Sequence, residues 1–320
     1  MTLFVYSWLK KILKGIQKLK ILTLGSSGGA PTKRRNCSSF ILHTETYSIM
    51  FDCGEGTQRQ LLRAGFKLSK IKYIFISHMH SDHVAGLMPM LATKSMFNIP
   101  GDITIIGPKE LDNYIKLNLN ITNSNLGYNY KFIELKDGLI KKFRNDKFQF
   151  KTHILNHRID SFGFRLKFED RPGNLIKEKL DKYGITEGPI CGELQRGKTV
   201  ITDNGKKVNL EDVAGPKKIG KIFTYIPDTY LCDNINVLSK NTDVLYIEST
   251  FQKEHDDRAL NRFHLTSYHC GIIANDNNVG KLILFHFSAS YTNYQQFIDD
   301  ANENYTSEVL LAKDLEEYQL

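Results

Sequence analysis

The stretch Ser77-His78-Met79-His80-Ser81-Asp82-His83, set directly after residues 71–76 (IKYIFI), constrains this chain more than any other. β-Branched and aromatic side chains side by side predict a buried strand. Beyond it, Val84, Leu87, Met88 and Leu91 recur at helical spacing, so the unit is strand, loop, helix. The loop holds three histidines and an aspartate. Groups at the carboxyl end of a strand stand on a rigid base and face a crevice. Imidazole nitrogens with a carboxylate oxygen suit zinc, and a set this dense can serve two ions. A lone His-X-His is more often a polar loop capping the next helix. Packing gives no reason to crowd four such groups together, and the stretch is assigned as a metal site.

Upstream, residues 20–24 (KILTL) predict a strand, broken by Gly25-Ser26-Ser27-Gly28-Gly29-Ala30-Pro31. Such a turn can offer N–H groups to a phosphate, but no GxxxxGK[ST] pattern accompanies it, and a plain tight turn is the commoner outcome. Residues 39–42 and 47–51 flank Glu45 and Thr46 as a hairpin. Asp52-Cys53-Gly54-Glu55-Gly56-Thr57 follows, then a short helix with Leu61 and Leu62. Asp52 and Glu55 suit either carboxylates that orient metal-binding histidines or turn and cap positions, and for Glu55 the cap is preferred.

Downstream, residues 103–108 predict a strand and 109–119 a helix; two or three strands then lead to Asn156-His157. Residues 161–166 (SFGFRL) alternate as a half-exposed strand does. His157, between strands, is placed where a fourth imidazole can reach the cluster, although alone it reads as a satisfied loop histidine. Residues 185–200 have no evident place in a core, and long segments of this kind are lids, binding arms or disordered. The chain then repeats its opening rhythm. Apolar runs at 221–225, 243–247 and 281–285 end in Pro227-Asp228-Thr229, Glu248-Ser249-Thr250 and His286-Phe287-Ser288, with helices at about 266–275 and 292–304. Together these predict two β-sheets face to face, helices outside, and a site along one rim. His43, His153, His255 and His269 are assigned to surface or core, with His255 solvated beside Glu254 and Asp256.

Length and composition bound the rest. The 320 residues, 41% hydrophobic, can bury one large core or two moderate ones. No apolar run nears the roughly 18 residues of a membrane span, which predicts a soluble protein. Five scattered cysteines (Cys37, Cys53, Cys191, Cys232, Cys270) form neither a disulfide framework nor a Cys-X-X-Cys site and point to a reducing compartment. The net charge of +8 suits a polyanionic partner. Its excess lies in two stretches: residues 1–20, with five lysines and no acid, and residues 171–221, with eleven Lys/Arg against seven Asp/Glu. Residues 1–17 place Phe4, Val5, Trp8, Leu9, Ile12 and Leu13 at helical spacing opposite lysines, as a basic amphipathic extension on the protein; a targeting peptide or membrane-surface helix is the alternative.

His78-X-His80-X-Asp82-His83 with His157, Asp228 and His286 resembles the metal-ligand set of the metallo-β-lactamase superfamily. The surrounding motifs narrow the resemblance to the RNase Z family, the endonucleases that remove 3′ trailers from precursor tRNA. They are Gly25 to Thr32, Asp52 to Gln58, Asn156-His157 with Phe162-Gly163-Phe164, Gly188-Pro189 with Gly192-Glu193-Leu194, Pro227-Asp228-Thr229, Glu248-Ser249-Thr250-Phe251, His264-Leu265-Thr266-Ser267 and His286-Phe287-Ser288. The first metal motif alone identifies only the superfamily. The chain departs from the family at Pro227, where glycine is usual, at Glu193, where lysine is common, and in residues 1–17, which the short bacterial form lacks.

The resemblance implies an α/β fold, an αββα sandwich (the metallo-β-lactamase fold), spanning 18–320 with an inserted flexible tRNA-binding arm at about 171–221. It implies two zinc ions per subunit. One would be held by His78, His80 and His157, the other by Asp82, His83 and His286, with Asp228 bridging. It also implies that Asp82, His264 as proton donor and Glu248 as its orienting carboxylate are catalytic. Cleavage would leave a 3′-OH on the tRNA and a 5′-phosphate on the trailer. A homodimer is expected, one subunit holding the tRNA that the other cuts, with no stable membrane partner. The location would be cytoplasmic, or an organelle matrix if residues 1–17 target it. Two other readings compete: a two-zinc thioester hydrolase or small phosphodiesterase, and an RNA-binding subunit with a degenerate metal site.

Overall fold

A computed structural model describes residues 19–186 and 188–320. The expectations for residues 1–17 lie outside them. The described residues form two compact units: 19–166 with Ile222–Leu320, and Lys167–Lys221.

In the larger unit, two seven-stranded sheets follow from the apolar runs. The first runs in the order Glu317–Gln319, Lys20–Gly25, Ser39–His43, Ser48–Phe51, Ile71–Phe75, Ile103–Gly107 and Tyr130–Glu134. The second runs Glu308–Leu311, Lys281–Phe285, Val244–Glu248, Ile222–Ile226, Ser161–Phe168, Phe148–Leu155 and Ile140–Phe143. The predicted hairpin is antiparallel, with Phe40 opposite Phe51 and His43 opposite Ser48. Strands Ile222–Ile226, Val244–Glu248 and Lys281–Phe285 are parallel and in register, so the three predicted endings emerge on one side.

Alternation along each strand separates two kinds of packing. Inward side chains are aromatic and meet between the sheets: Phe40 lies 4.3 Å from Tyr246 between ring centroids, Phe51 5.9 Å from Phe164, and Phe75 5.1 Å from Phe150. Each such pair contributes about 0.5–1.5 kcal/mol beyond its buried area. Outward aliphatics hold the helices. Leu22, Met50, Ile74 and Ile105 pack with Leu61, Leu87, Leu91, Leu111 and Ile115, while Leu245, Ile247, Leu282 and Leu284 pack with Ile235, Leu238, Ile273 and Phe297. The result is the αββα sandwich.

Several local expectations fail for identifiable reasons. Glu55 caps nothing: the residue before helix Thr57–Arg63 is Gly56 at φ 79°, and the Glu55 side chain is exposed. Strand Ser161–Phe168 is buried along its first four residues and alternates only beyond them. His255 is held by Tyr291, whose hydroxyl lies 2.8 Å from Nδ1, instead of standing free in water.

The smaller unit also corrects an expectation. Residues 185–200 do join a core: Ile185, Leu194 and Val200 cluster with Leu180, Val208 and Val213. That core is carried by helices Lys177–Lys182, Pro189–Gln195 and Leu210–Val213 and by the paired strands Val200–Ile201 and Lys207–Val208.

Candidate metal centre

The ligand-type groups gather where strands end. Ile71–Phe75 delivers His78 and His80, and the short helix Ser81–Val84 carries Asp82 and His83. Phe148–Leu155 leads to His157, Ile222–Ile226 to Asp228, and Lys281–Phe285 to His286. The structure brings all seven together as two groups, His78, His80, His157 and Asp228, and Asp82, His83, Asp228 and His286; within each group the ligand atoms lie within 4.8 Å of one another.

Asp228 belongs to both. Its Oδ1 is 3.2 Å from His83 Nε2 and 3.1 Å from His286 Nε2, while its Oδ2 is 3.8 Å from His78 Nε2 and 3.9 Å from His157 Nε2. Ligands about 2.0–2.1 Å from a tetrahedral zinc stand roughly 3.3 Å apart, which is the spacing of the tighter group. Oδ1 is buried and has no hydrogen-bond partner. A buried carboxylate oxygen in that state is costly unless a cation takes it up.

The outer nitrogens explain why the inner ones converge. His83 Nδ1 is 2.7 Å from Asp52 Oδ2. His78 Nδ1 is 2.9 Å from the Ser77 hydroxyl, which donates to the same Asp52 oxygen at 2.9 Å. His157 Nδ1 donates to the Phe263 carbonyl at 3.0 Å, and His286 Nδ1 to the Thr250 hydroxyl at 2.9 Å. With these nitrogens carrying the protons, the Nε2 atoms of His83 and His286 are left as acceptors facing the Asp228 carboxylate, while those of His78 and His157 converge on His80 Nδ1. Metal ligation needs that arrangement, and hydrogen bonding alone does not explain it. Electrostatics agree. Burial and the neighbouring His83 hold the His78 imidazole well below its ordinary range, hence neutral. Burial also opposes charge on His83, yet Asp228, Asp82 and Asp52 together lift it well above the usual value; the pocket has negative charge to spare, which a cation would take up in place of a proton on Nε2. The residues present fit a pair of divalent cations.

Two further features fix this rim. Asp52 at φ 51° and His286 at φ 63° each turn left-handed just past a strand end, a conformation that costs a non-glycine residue about 1–3 kcal/mol and gathers at functional sites. The glycine-rich turn proves to serve the centre. Gly29 N–H donates to Asp82 Oδ2 at 2.8 Å, and a Cβ on Gly28 would sit 2.7 Å from the His286 ring.

Beside the two groups stands a second pair. His264 Nδ1 is 2.8 Å from Glu248 Oε1, and the buried carboxylate also accepts the N–H groups of Thr229, Thr250 and Leu265. Burial disfavours charge on His264, but Glu248 outweighs it and pushes the imidazole up to about 9. Thr266, not His264, is the N-cap of helix Ser267–Asp276. Sequence reasoning missed Thr250, whose hydroxyl donates to Glu248 Oε2 at 2.7 Å while receiving His286, and Ser77 and Tyr225, which both donate to Asp52. A hydroxyl next to a strand-end acid was the available signal for Thr250. His80, Asp82, His157, Asp228, His264 and His286 open onto a cavity of about 460 Å³.

An αββα sandwich with this rim defines a metallo-β-lactamase-fold protein. Solved structures agree. The chain is similar to the metallo-β-lactamase fold protein YhfI from Bacillus subtilis (TM-score 0.68, 19% identity, covering 95% of this chain and 100% of that one). It is likewise similar to human tRNase Z, short form (TM-score 0.65, 24% identity, 93% and 98%). A family model described as Anti-Pycsar protein Apyc1 matches residues 19–171 and stops short of Asp228, Glu248, His264 and His286. Ribonuclease Z of Lactobacillus johnsonii is 38% identical over 94% of this chain and 99% of its own length, and that of Lactobacillus helveticus 42% identical over 85% and 88%. The chain belongs to the ribonuclease Z family.

Proposed function

We propose that this chain is a zinc-dependent endoribonuclease that removes the 3′ trailer from precursor tRNA. The unpartnered Asp228 Oδ1 between two converging ligand groups carries the reading, and membership of the ribonuclease Z family supplies the substrate class. His78, His80, His157 and Asp228 would hold one divalent ion and Asp82, His83, Asp228 and His286 a second, and such ions would supply Lewis-acid stabilisation and a lowered pKa for water.

The chain's own groups do the rest. Asp82, on the cavity wall, takes a proton from the attacking water, whose oxygen bonds to phosphorus as the bond to the tRNA O3′ breaks. The departing O3′ needs a proton. His264 has Nδ1 engaged by Glu248, which leaves Nε2 to carry that proton into the cavity it lines. The products are a 3′-OH on the tRNA and a 5′-phosphate on the trailer. Residues 171–221 act as the arm that grips the tRNA away from the cut, across a homodimer.

The test is a pre-tRNA processing assay with metal quantification on wild type, Asp82→Ala and a chain lacking 175–215, run alongside hydrolysis of bis(p-nitrophenyl) phosphate. Asp82→Ala should lose metal-dependent cleavage of both substrates, and the deletion only that of pre-tRNA. Fewer than two zinc equivalents in active wild type, or equal loss of both substrates in the deletion, overturns the assignment.

A further inference from the structure

Two charged side chains lining the cavity are used neither by the ligand groups nor by the Glu248–His264 pair: Arg158 and Arg262. Both are exposed, and neither guanidinium has an ion-pair or hydrogen-bond partner among the described residues. We propose that Arg158 and Arg262 bind the phosphates on either side of the scissile one, so that the cleft favours a polynucleotide strand over an isolated phosphodiester. This deepens the precursor-tRNA reading and rests on it.

The backbone beneath both arginines is fixed. Asn156 and Tyr230 pair, with Tyr230 N–H donating to the Asn156 carbonyl at 2.8 Å. The next residue, His157, donates to the Phe263 carbonyl at 3.0 Å. That carbonyl is aimed by the left-handed turn of Phe263 (φ 58°, ψ 52°), which closes helix Asp256–Arg262 and sends the chain on to His264. One hydrogen bond therefore joins the loop bearing Arg158 to the turn bearing Arg262, at a metal-ligating histidine. The stems are anchored and the heads are free, the state of a group awaiting a ligand.

Charge identifies that ligand. One phosphodiester carries one negative charge, and the two divalent ions of the proposed centre would already meet it. Placing two more permanent cations at the same mouth is unfavourable unless the bound molecule brings further anionic groups. A polynucleotide brings a phosphate on each side of the cut. Guanidinium suits it because its planar fork engages two phosphate oxygens at once.

The experiment uses full-length, zinc-loaded protein: wild type, Arg158→Ala, Arg262→Ala, and the corresponding Lys variants. Pre-tRNA cleavage is measured across a salt series, with bis(p-nitrophenyl) phosphate as the substrate that has no flanking phosphates. Each Ala variant should raise KM for pre-tRNA about tenfold or more and flatten the log–log salt dependence by about one unit. Its zinc content and turnover of the small diester should stay within about twofold of wild type, and Lys should restore part of the loss. Ala variants with unchanged KM and salt slope overturn the proposal. So does parallel loss of the small diester, which would make the arginines supports of the metal pocket. A wild type that hydrolyses the diester but leaves pre-tRNA intact removes the tRNA reading itself, and the strand-binding role with it.

Discussion

Each sheet backs the site with one buried carboxylate at a strand end, and the two have different work. Asp52, past Ser48–Phe51 of the first sheet, accepts from the Ser77 amide at 2.7 Å and hydroxyl at 2.9 Å, from His83 Nδ1, and from the Tyr225 hydroxyl at 2.5 Å. Through His83 directly and His78 by way of Ser77, it orients one ligand of each ion group. Glu248, closing Val244–Glu248 of the second sheet, reaches His286 through the Thr250 hydroxyl, and its direct imidazole partner is His264. In the proposed function, one fold element, repeated, thus supports metal binding on one side and proton transfer on the other.

The largest expected effect falls on the Glu248 side. His264→Ala should keep two zinc ions yet slow pre-tRNA cleavage by about 10²–10⁴-fold, the usual contribution of a positioned acid. Metal analysis alongside single-turnover rates checks this, and an unimpaired rate removes His264 from the chemistry. Next comes Asp52→Asn, which should weaken metal affinity roughly 10–100-fold. Because Asp52 serves both groups, a chelator titration should show both ions loosened together. Loss of one ion alone would mean that Ser77 does not transmit its support to His78.

The pH dependence separates the two carboxylates. His264, raised from 6.5 to about 9 chiefly against its own burial and by Glu248, is charged in the folded protein at neutral pH. Its folded value lies above the unfolded one, so its contribution to stability is complete below about 6.5 and lost as pH rises through about 9. Cleavage that uses it as an acid should fall over the same upper range. Glu248→Gln removes the raising charge and should shift the descending limb of the pH–rate profile to lower pH, whereas Asp52→Asn should leave that limb in place. A limb unmoved by Glu248→Gln would break the distinction.

The two sides also differed in how far the sequence disclosed them. The αββα arrangement was legible because apolar runs, turns and strand endings recur in order. The 78–83 groups were legible because six neighbouring positions hold them. Asp228, Glu248 and His286 showed as polar endings of apolar runs; the folded chain sets Asp228 and His286 beside His83 and Glu248 beside His264. Tyr225 was not legible: it looks like any inward aromatic of a strand, and its partner Asp52 lies 173 positions away on the other sheet. The core of the smaller unit escaped for a different reason. Leu180, Leu194, Val200, Val208 and Val213 sit on elements of two to seven residues, below the window of about 11 in which periodicity is measurable. Glu55 misled because an acid ahead of a helix suggests a cap, whereas the left-handed Gly56 occupies that position.

Tyr225→Phe is the finest cut through the comparison. The Tyr225 hydroxyl joins the sheets, reaching from the second to the carboxylate of the first, and burial with the neighbouring Asp52 charge raises it well above its ordinary range, so it stays a donor. Phenylalanine keeps the ring contacts with Phe40 and Phe51, 5.0 and 5.5 Å away between centroids, and removes only that donor. A hydrogen bond to a charged group is worth about 1.5–3 kcal/mol, but Asp52 keeps its contacts from Ser77 and His83 and the net loss should be nearer 1 kcal/mol. Metal affinity should fall about fivefold, with the His264-dependent limb of the pH–rate profile unchanged. Should affinity stay at the wild-type level, the first sheet alone orients Asp52. Should the limb move, the two carboxylates are coupled through the core, and the division of labour between the sheets no longer holds.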